Sequence, residues 1–118
     1  MAKIAVVVLA DVEGHGDLGR VVNALELAKE AKEAQDDLEI IFDGAGVQWV
    51  TELSNPDHRL HRLFDTVLDQ VAGVCSFCAR AFNVKDEVEA CGVQLLDDYD
   101  GHPSLRTLVA EGYQVVTF

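Results

Sequence analysis

Residues Ile4 to Leu9, Ile-Ala-Val-Val-Val-Leu, form an apolar run with no polar interruption, rich in β-branched side chains. A strand wetted on one face alternates polar and apolar residues. A run without that alternation is the kind buried on both faces of a parallel sheet, with helices above and below. The remaining signals fit such a sheet. From Asp17, read as an N-cap, the pattern Leu18, Val21, Val22, Leu25 and Ala28 follows helical spacing. Leu38 to Phe42 is a second strand, closed by Asp43-Gly44-Ala45-Gly46. Val47 to Leu53 is ambiguous and carries the only tryptophan, Trp49. Asn55 as N-cap, Pro56 at the first helical position and Asp57 in the first turn predict a helix whose apolar stripe runs from Leu60 to Val71.

Val71 to Val74 reads as a third strand, Cys75 as the turn after it, and Ser76 onward as a short helix ending near Asn83. Lys85 to Ala90 adds a helical turn or two, and Val93 to Leu96 a fourth strand. Asp97 to Gly101 is loop, Pro103 to Ala110 a helix stopped by Gly112, and Tyr113 to Phe118 a last strand. Strands alternating with helices predict an α/β sandwich with a mostly parallel sheet of about five strands and helices on both faces. At 118 residues, one domain spanning 1–118 is expected.

The charge balance narrows the partners. With 21 acidic and 9 basic residues, the net charge of −12 repels nucleic-acid phosphates and anionic membranes, so direct binding to either is not expected. Asp outnumbers Glu and there are only four lysines, a pattern that suits a halophilic source. Stability rising steeply with added KCl would support that reading, and indifference to salt would remove it. The run from Ile4 to Ala10 is too short and too β-branched for a signal peptide, and nothing else is apolar for long enough to span a bilayer. Three cysteines then suggest a reducing cytoplasm.

Cys75 is the candidate nucleophile. It stands at the carboxyl edge of the sheet, where open α/β sheets place ligands and chemistry, and at a helix start, whose N–H groups would favour a thiolate. Cys78, one turn on, makes Cys-x-x-Cys. A thioredoxin-type site would need a proline-bearing strand facing the pair, and both prolines, Pro56 and Pro103, read as helix starts. Other patterns carry less. Gly14-His15-Gly16-Asp17-Leu18-Gly19 matches a dinucleotide fingerprint, but Asp11, Glu13 and Asp17 crowd the place of a pyrophosphate. His58 and His61 with Cys75 and Cys78 resemble a zinc set, yet His58 faces largely away from the core on its predicted helix. The Asp97-Asp98-Tyr99-Asp100 loop lacks calcium-loop spacing. No cofactor and no metal are expected, and Cys91 reads as core.

Beyond these local patterns, the chain resembles the DsrE/DsrF-like (TusD-like) family of small sulfur-relay proteins along nearly its whole length. The match runs through the strand Lys3–Leu9, the helix Leu18–Ala34 with its Ala-Leu-Glu-Leu-Ala core, and Phe42–Val47. Its centre is Val74-Cys75-Ser76-Phe77-Cys78-Ala79-Arg80-Ala81-Phe82-Asn83-Val84, where Asn83-Val84 stands in place of the family's Gly-Val. Ser104–Val109 and Val115–Phe118 extend it. The resemblance implies a three-layer α/β/α sandwich, a homotrimer or hexamer, and a sulfur carrier or sulfurtransferase-like protein that holds persulfide sulfur on Cys75. Donor and acceptor proteins would be its partners, Cys78 its second cysteine. Ser76 as helix cap and Arg80 as a local positive charge would assist. The alternative is a non-catalytic oligomeric module binding a small ligand near Gly14–Gly19 or Asp43–Gly46. A zinc protein ranks third.

Overall fold

Along the first strand, Ala5 and Val7 point to one side and Val6 and Val8 to the other, and all four are fully buried. The doubly covered strand expected from the Ile4–Leu9 run is therefore present. The computed structural model describes all 118 residues and places five strands in one sheet. They are β1 (Lys3–Val8), β2 (Asp37–Phe42), β3 (Val71–Cys75), β4 (Leu95–Leu96) and β5 (Gln114–Thr117), in the order β4-β3-β2-β1-β5. Every pairing is parallel. Six helices connect them: α1 (His15–Glu33), α2 (Trp49–Ser54), α3 (His61–Val67), α4 (Ser76–Ala81), α5 (Lys85–Ala90) and α6 (Leu105–Ala110). Short 3-10 turns lie at Gly44–Gln48 and Leu68–Gln70.

Strand order explains how the helices are shared between the faces. The steps from β1 to β4 all run one way across the sheet, so right-handed crossovers carry α1 through α5 over a single face. The step from β4 back to β5 runs the opposite way and puts α6 on the other. The cores follow. One cluster joins Val6, Val8, Ile40 and Phe42 to Val21, Leu25, Val50, Leu53, Phe64 and Val67. The other holds only Ala5, Val7, Ile41 and Leu108. Phe42 and Phe64 meet edge to face, with centroids 6.1 Å apart. Burying an aromatic ring of this size stabilises by about 2–3 kcal/mol. The three layers are thus present but unequal.

Local departures have local causes. Asp17 does not cap α1. Gly14 is the N-cap, and the Asp17 carboxylate, three residues into the helix, accepts the Gly14 N–H at 3.1 Å. The helix predicted from Asn55 and Pro56 starts only at His61. The Asn55 side chain accepts the Asp57 N–H at 2.9 Å, closing a turn that competes with a helical start. The ambiguous Val47–Leu53 stretch becomes α2, which buries Trp49, Val50 and Leu53. Asn83 takes the left-handed conformation expected of it, with φ of 62°. Three ion pairs form, all at the surface: Arg20–Asp17, Lys32–Asp69 and Lys85–Glu89. Most carboxylates are left to solvent. No helix is long and apolar enough to cross a membrane.

Candidate functional site

Three strand ends meet at one place. Asp43 follows the last residue of β2, Cys75 is the last residue of β3, and His102 lies in the loop that follows β4. The turn after β2 is pressed against the end of β1: a Cβ on Gly46 would fall 2.0 Å from the Val8 carbonyl oxygen, so only glycine fits. Asp43 caps that turn, its Oδ1 accepting the Gly44 N–H at 2.8 Å. Beyond β4, Tyr99 and His102 exchange both backbone hydrogen bonds at 2.8 Å. The two residues between them, Asp100 and Gly101, have φ of 50° and 82°, the positive pair that a tight hairpin turn of type I′ requires. The Phe77 N–H donates to the Gly101 carbonyl at 2.8 Å and ties this hairpin to the start of α4.

Cys75 itself is the N-cap of α4. Its sulfur accepts the Cys78 N–H at 3.4 Å, so the cap expected from Ser76 is supplied one residue earlier. His102 Nδ1 lies 3.2 Å from Cys75 Sγ. The Cys78 thiol donates to Asp43 Oδ1 at 3.5 Å. Ligand atoms of Asp43, Cys75, Cys78 and His102 all lie within 4.8 Å of one another. Cys75 has no exposed surface, whereas the other three are partly open to solvent. The His102 ring lies against Phe77, centroids 4.8 Å apart, and Phe77 is 56% exposed.

The electrostatics reverse one expectation. A helix start was to favour a Cys75 thiolate. Burial instead pushes the thiol up to about 12, eased by the Cys78 N–H and reinforced by hydrogen bonding to Cys78 and the nearby Asp43 carboxylate. Removing the sulfur from water outweighs one N–H and a six-residue helix. Arg80 is exposed in the last turn of α4 and is not among the groups that bear on the thiol. At neutral pH Cys75 is a thiol with an imidazole nitrogen in contact.

The structure brings Cys75 and Cys78 together and keeps the two histidines once grouped with them elsewhere. His58 Nδ1 accepts the Leu60 N–H at 3.0 Å, and its ring meets Trp49 edge-on. His61 Nδ1 is 2.8 Å from the Leu53 carbonyl. The glycine loop opens α1, but the Gly14 N–H is already taken by Asp17. In the acidic loop, Asp98 accepts the Ser104 N–H at 3.2 Å. In the sequence Asp43 figures only at the edge of the alternative ligand cleft, and His102 carries no role. Two signals point to them: a carboxylate directly after a buried strand, and the Asp100-Gly101 turn dipeptide that presents the next residue.

A cysteine at the end of the third parallel strand, opening a short helix, was the centre of the resemblance noted above. The DsrE/DsrF-like family model matches residues 3–118. The chain belongs to the DsrE/DsrF-like family. Among curated proteins it is similar to the uncharacterized protein MJ0733 of Methanocaldococcus jannaschii, 35% identical over 96 residues, covering 81% of this chain and 78% of that one. Among solved structures it is similar to the conserved protein of unknown function BT1422 from Bacteroides thetaiotaomicron. That likeness has a TM-score of 0.65 at 14% identity, covers 97% of this chain and 94% of the other, and speaks to the fold. DsrE/DsrF-like membership supports a sulfur-relay role in general terms, and a close cysteine pair is present for it.

Proposed function

We propose that this DsrE/DsrF-like protein is a sulfur carrier that takes a sulfane sulfur onto Cys75 as a persulfide and passes it to a partner thiol. The observation that carries this reading is the Cys75 sulfur held 3.2 Å from His102 Nδ1 with Cys78 one turn away. A buried thiol is a poor nucleophile until its proton leaves. With His102 protonated on Nε2, its Nδ1 accepts that proton as a donor persulfide approaches. The Cys75 sulfur attacks the terminal sulfur of the donor, the donor's S–S bond breaks, and the donor departs as a thiol. The Cys78 N–H, already directed at the Cys75 sulfur, steadies the product.

Release has two routes. An acceptor thiolate attacks the outer sulfur and leaves with it, restoring Cys75. Alternatively the Cys78 thiolate attacks the Cys75 Sγ, forming a Cys75–Cys78 disulfide and expelling hydrogen sulfide, after which a dithiol reductant resets the pair. On this reading the protein works in the cytoplasm with donor and acceptor proteins, as a homotrimer or hexamer. The exposed Phe77 ring beside His102 offers a partner an apolar contact.

Intact-protein mass spectrometry after exposure to inorganic polysulfide tests the reading. One added sulfur is expected on the wild type and on Cys78→Ser, and none on Cys75→Ser. Loading that persists in Cys75→Ser, or is absent from both the wild type and Cys78→Ser, would overturn it.

A further inference from the structure

Asp43, Cys75, Cys78 and His102 supply one carboxylate, two sulfurs and one imidazole, each from a different point of the fold, with all ligand atoms within 4.8 Å. Two thiolates with one nitrogen and one oxygen make a donor set suited to a thiophilic divalent cation of tetrahedral preference. Ligands at about 2.0–2.3 Å from a tetrahedral ion stand about 3.3–3.8 Å from one another. The contacts of 3.2 Å between Cys75 Sγ and His102 Nδ1, and 3.5 Å between Cys78 Sγ and Asp43 Oδ1, already sit near that spacing. The widest separation needs to close by about 1 Å. Three of the four residues are side chains on a turn, a first helical turn and a hairpin, where closure by rotamer change is available.

The surroundings also suit an ion. The Gly44 N–H holds the Asp43 carboxylate, the Cys78 N–H faces the Cys75 sulfur, and the Phe77 ring flanks His102, so three ligands are oriented from behind. The floor is closed by buried Cys75, and the partly exposed Asp43, Cys78 and His102 leave an entry from solvent. We infer that this cluster is a Zn²⁺ site. Binding would release the two thiol protons to solvent, leaving two thiolates, a carboxylate and a neutral imidazole around the ion. This set shares no histidine with the His58–His61 pattern. Metal binding stands independently of sulfur carriage. A second consequence rests on that reading: a zinc-filled site has no free Cys75 sulfur, so metal and persulfide exclude each other.

The test uses the full chain, reduced and freed of metal, titrated with Co²⁺ as a spectroscopic stand-in for Zn²⁺. One ion per chain is expected, with thiolate-to-cobalt charge-transfer bands and the intense visible bands of tetrahedral cobalt, all displaced by Zn²⁺. Cys78→Ser should lose part of the charge-transfer intensity. His102→Ala and Asp43→Asn should each weaken binding by about tenfold or more. These three residues are partly exposed, so circular dichroism of each variant should match the wild type and keep the comparison valid. Absence of thiolate bands in the wild type, or affinity unmoved in both His102→Ala and Asp43→Asn, overturns the site. Persulfide loading is then measured by mass on metal-free and zinc-filled protein. Cobalt binding without loading of the metal-free chain defeats the carrier reading and keeps the site. Loading without cobalt binding does the reverse. Equal loading of both forms overturns the exclusion.

Discussion

Two regions at the carboxyl ends of the strands invite comparison: the Cys75 cluster beside β2, β3 and β4, and the cleft beside the glycine loop after β1. The second is an opening of about 280 Å³, lined by Glu13, His15, Trp49, Glu52, His58 and Arg59 among others. Three of its polar groups are held by the fold itself. Trp49 Nε1 donates to the Ala10 and Asp11 carbonyls at 2.9 and 3.2 Å, and His58 Nδ1 receives the Leu60 N–H. Asp17 holds the Gly14 N–H where an anion would seek it. At the Cys75 cluster the side chains are turned on one another instead, sulfur to imidazole and sulfur to carboxylate. Such contacts are between reactive groups, not between side chain and backbone. Volume therefore locates an opening, and convergence of chemically distinct donors locates chemistry.

The widest separation between the two should come from their histidines. His102→Ala is expected to slow persulfide loading of Cys75 at neutral pH by about a hundredfold, through loss of the proton acceptor. His58→Ala should leave the loading rate unchanged. Equal rates in the two variants, followed by mass spectrometry over time, would erase the distinction and favour a ligand-binding module at the glycine-loop cleft.

Next comes a pH effect peculiar to the buried thiol. Cys75 is raised from an ordinary value of 9.0 to about 12 by burial, so the folded chain holds this proton more tightly than the unfolded one. Its contribution to stability is complete below about pH 9 and is lost as pH climbs toward 12. Tyr113, raised by burial and by Glu39, Asp37 and Glu111, acts in the same sense. Denaturant midpoints of the wild type should accordingly fall more steeply above pH 9 than those of Cys75→Ala. Parallel curves would show that burial does not hold the proton on Cys75.

A smaller effect is expected at the glycine-loop cleft. Trp49→Phe keeps the apolar packing and strips two carbonyls of their donor, at a cost of about 1–2 kcal/mol in urea unfolding, with sulfur loading intact. The smallest is the stability change of His58→Ala, under about 1 kcal/mol, since it removes one side-chain acceptor and a single ring contact.

Much of this molecule is legible in its sequence. The Ile4–Leu9 run declared a strand covered on both sides, periodicity at Leu18, Val21, Leu25 and Ala28 declared α1, and Cys75 stood at the end of a strand with Cys78 one turn on. These are local facts, set by alternation along a strand and by 3.6 residues per helical turn. Where local signals competed, the sequence misled. Asn55 and Pro56 look like a helix start, yet the Asn55 side chain closed a turn on Asp57 and deferred α3 to His61. Only tertiary structure decided the rest. That Asp43 and His102 join the cysteines depends on β2, β3 and β4 lying side by side, which no spacing along the chain can reveal. The state of the Cys75 thiol was decided there too. Its sequence context promises a helix N-terminus and a thiolate. Burial under the packed loops withholds the solvation that a thiolate requires, and water, not the helix, sets the balance.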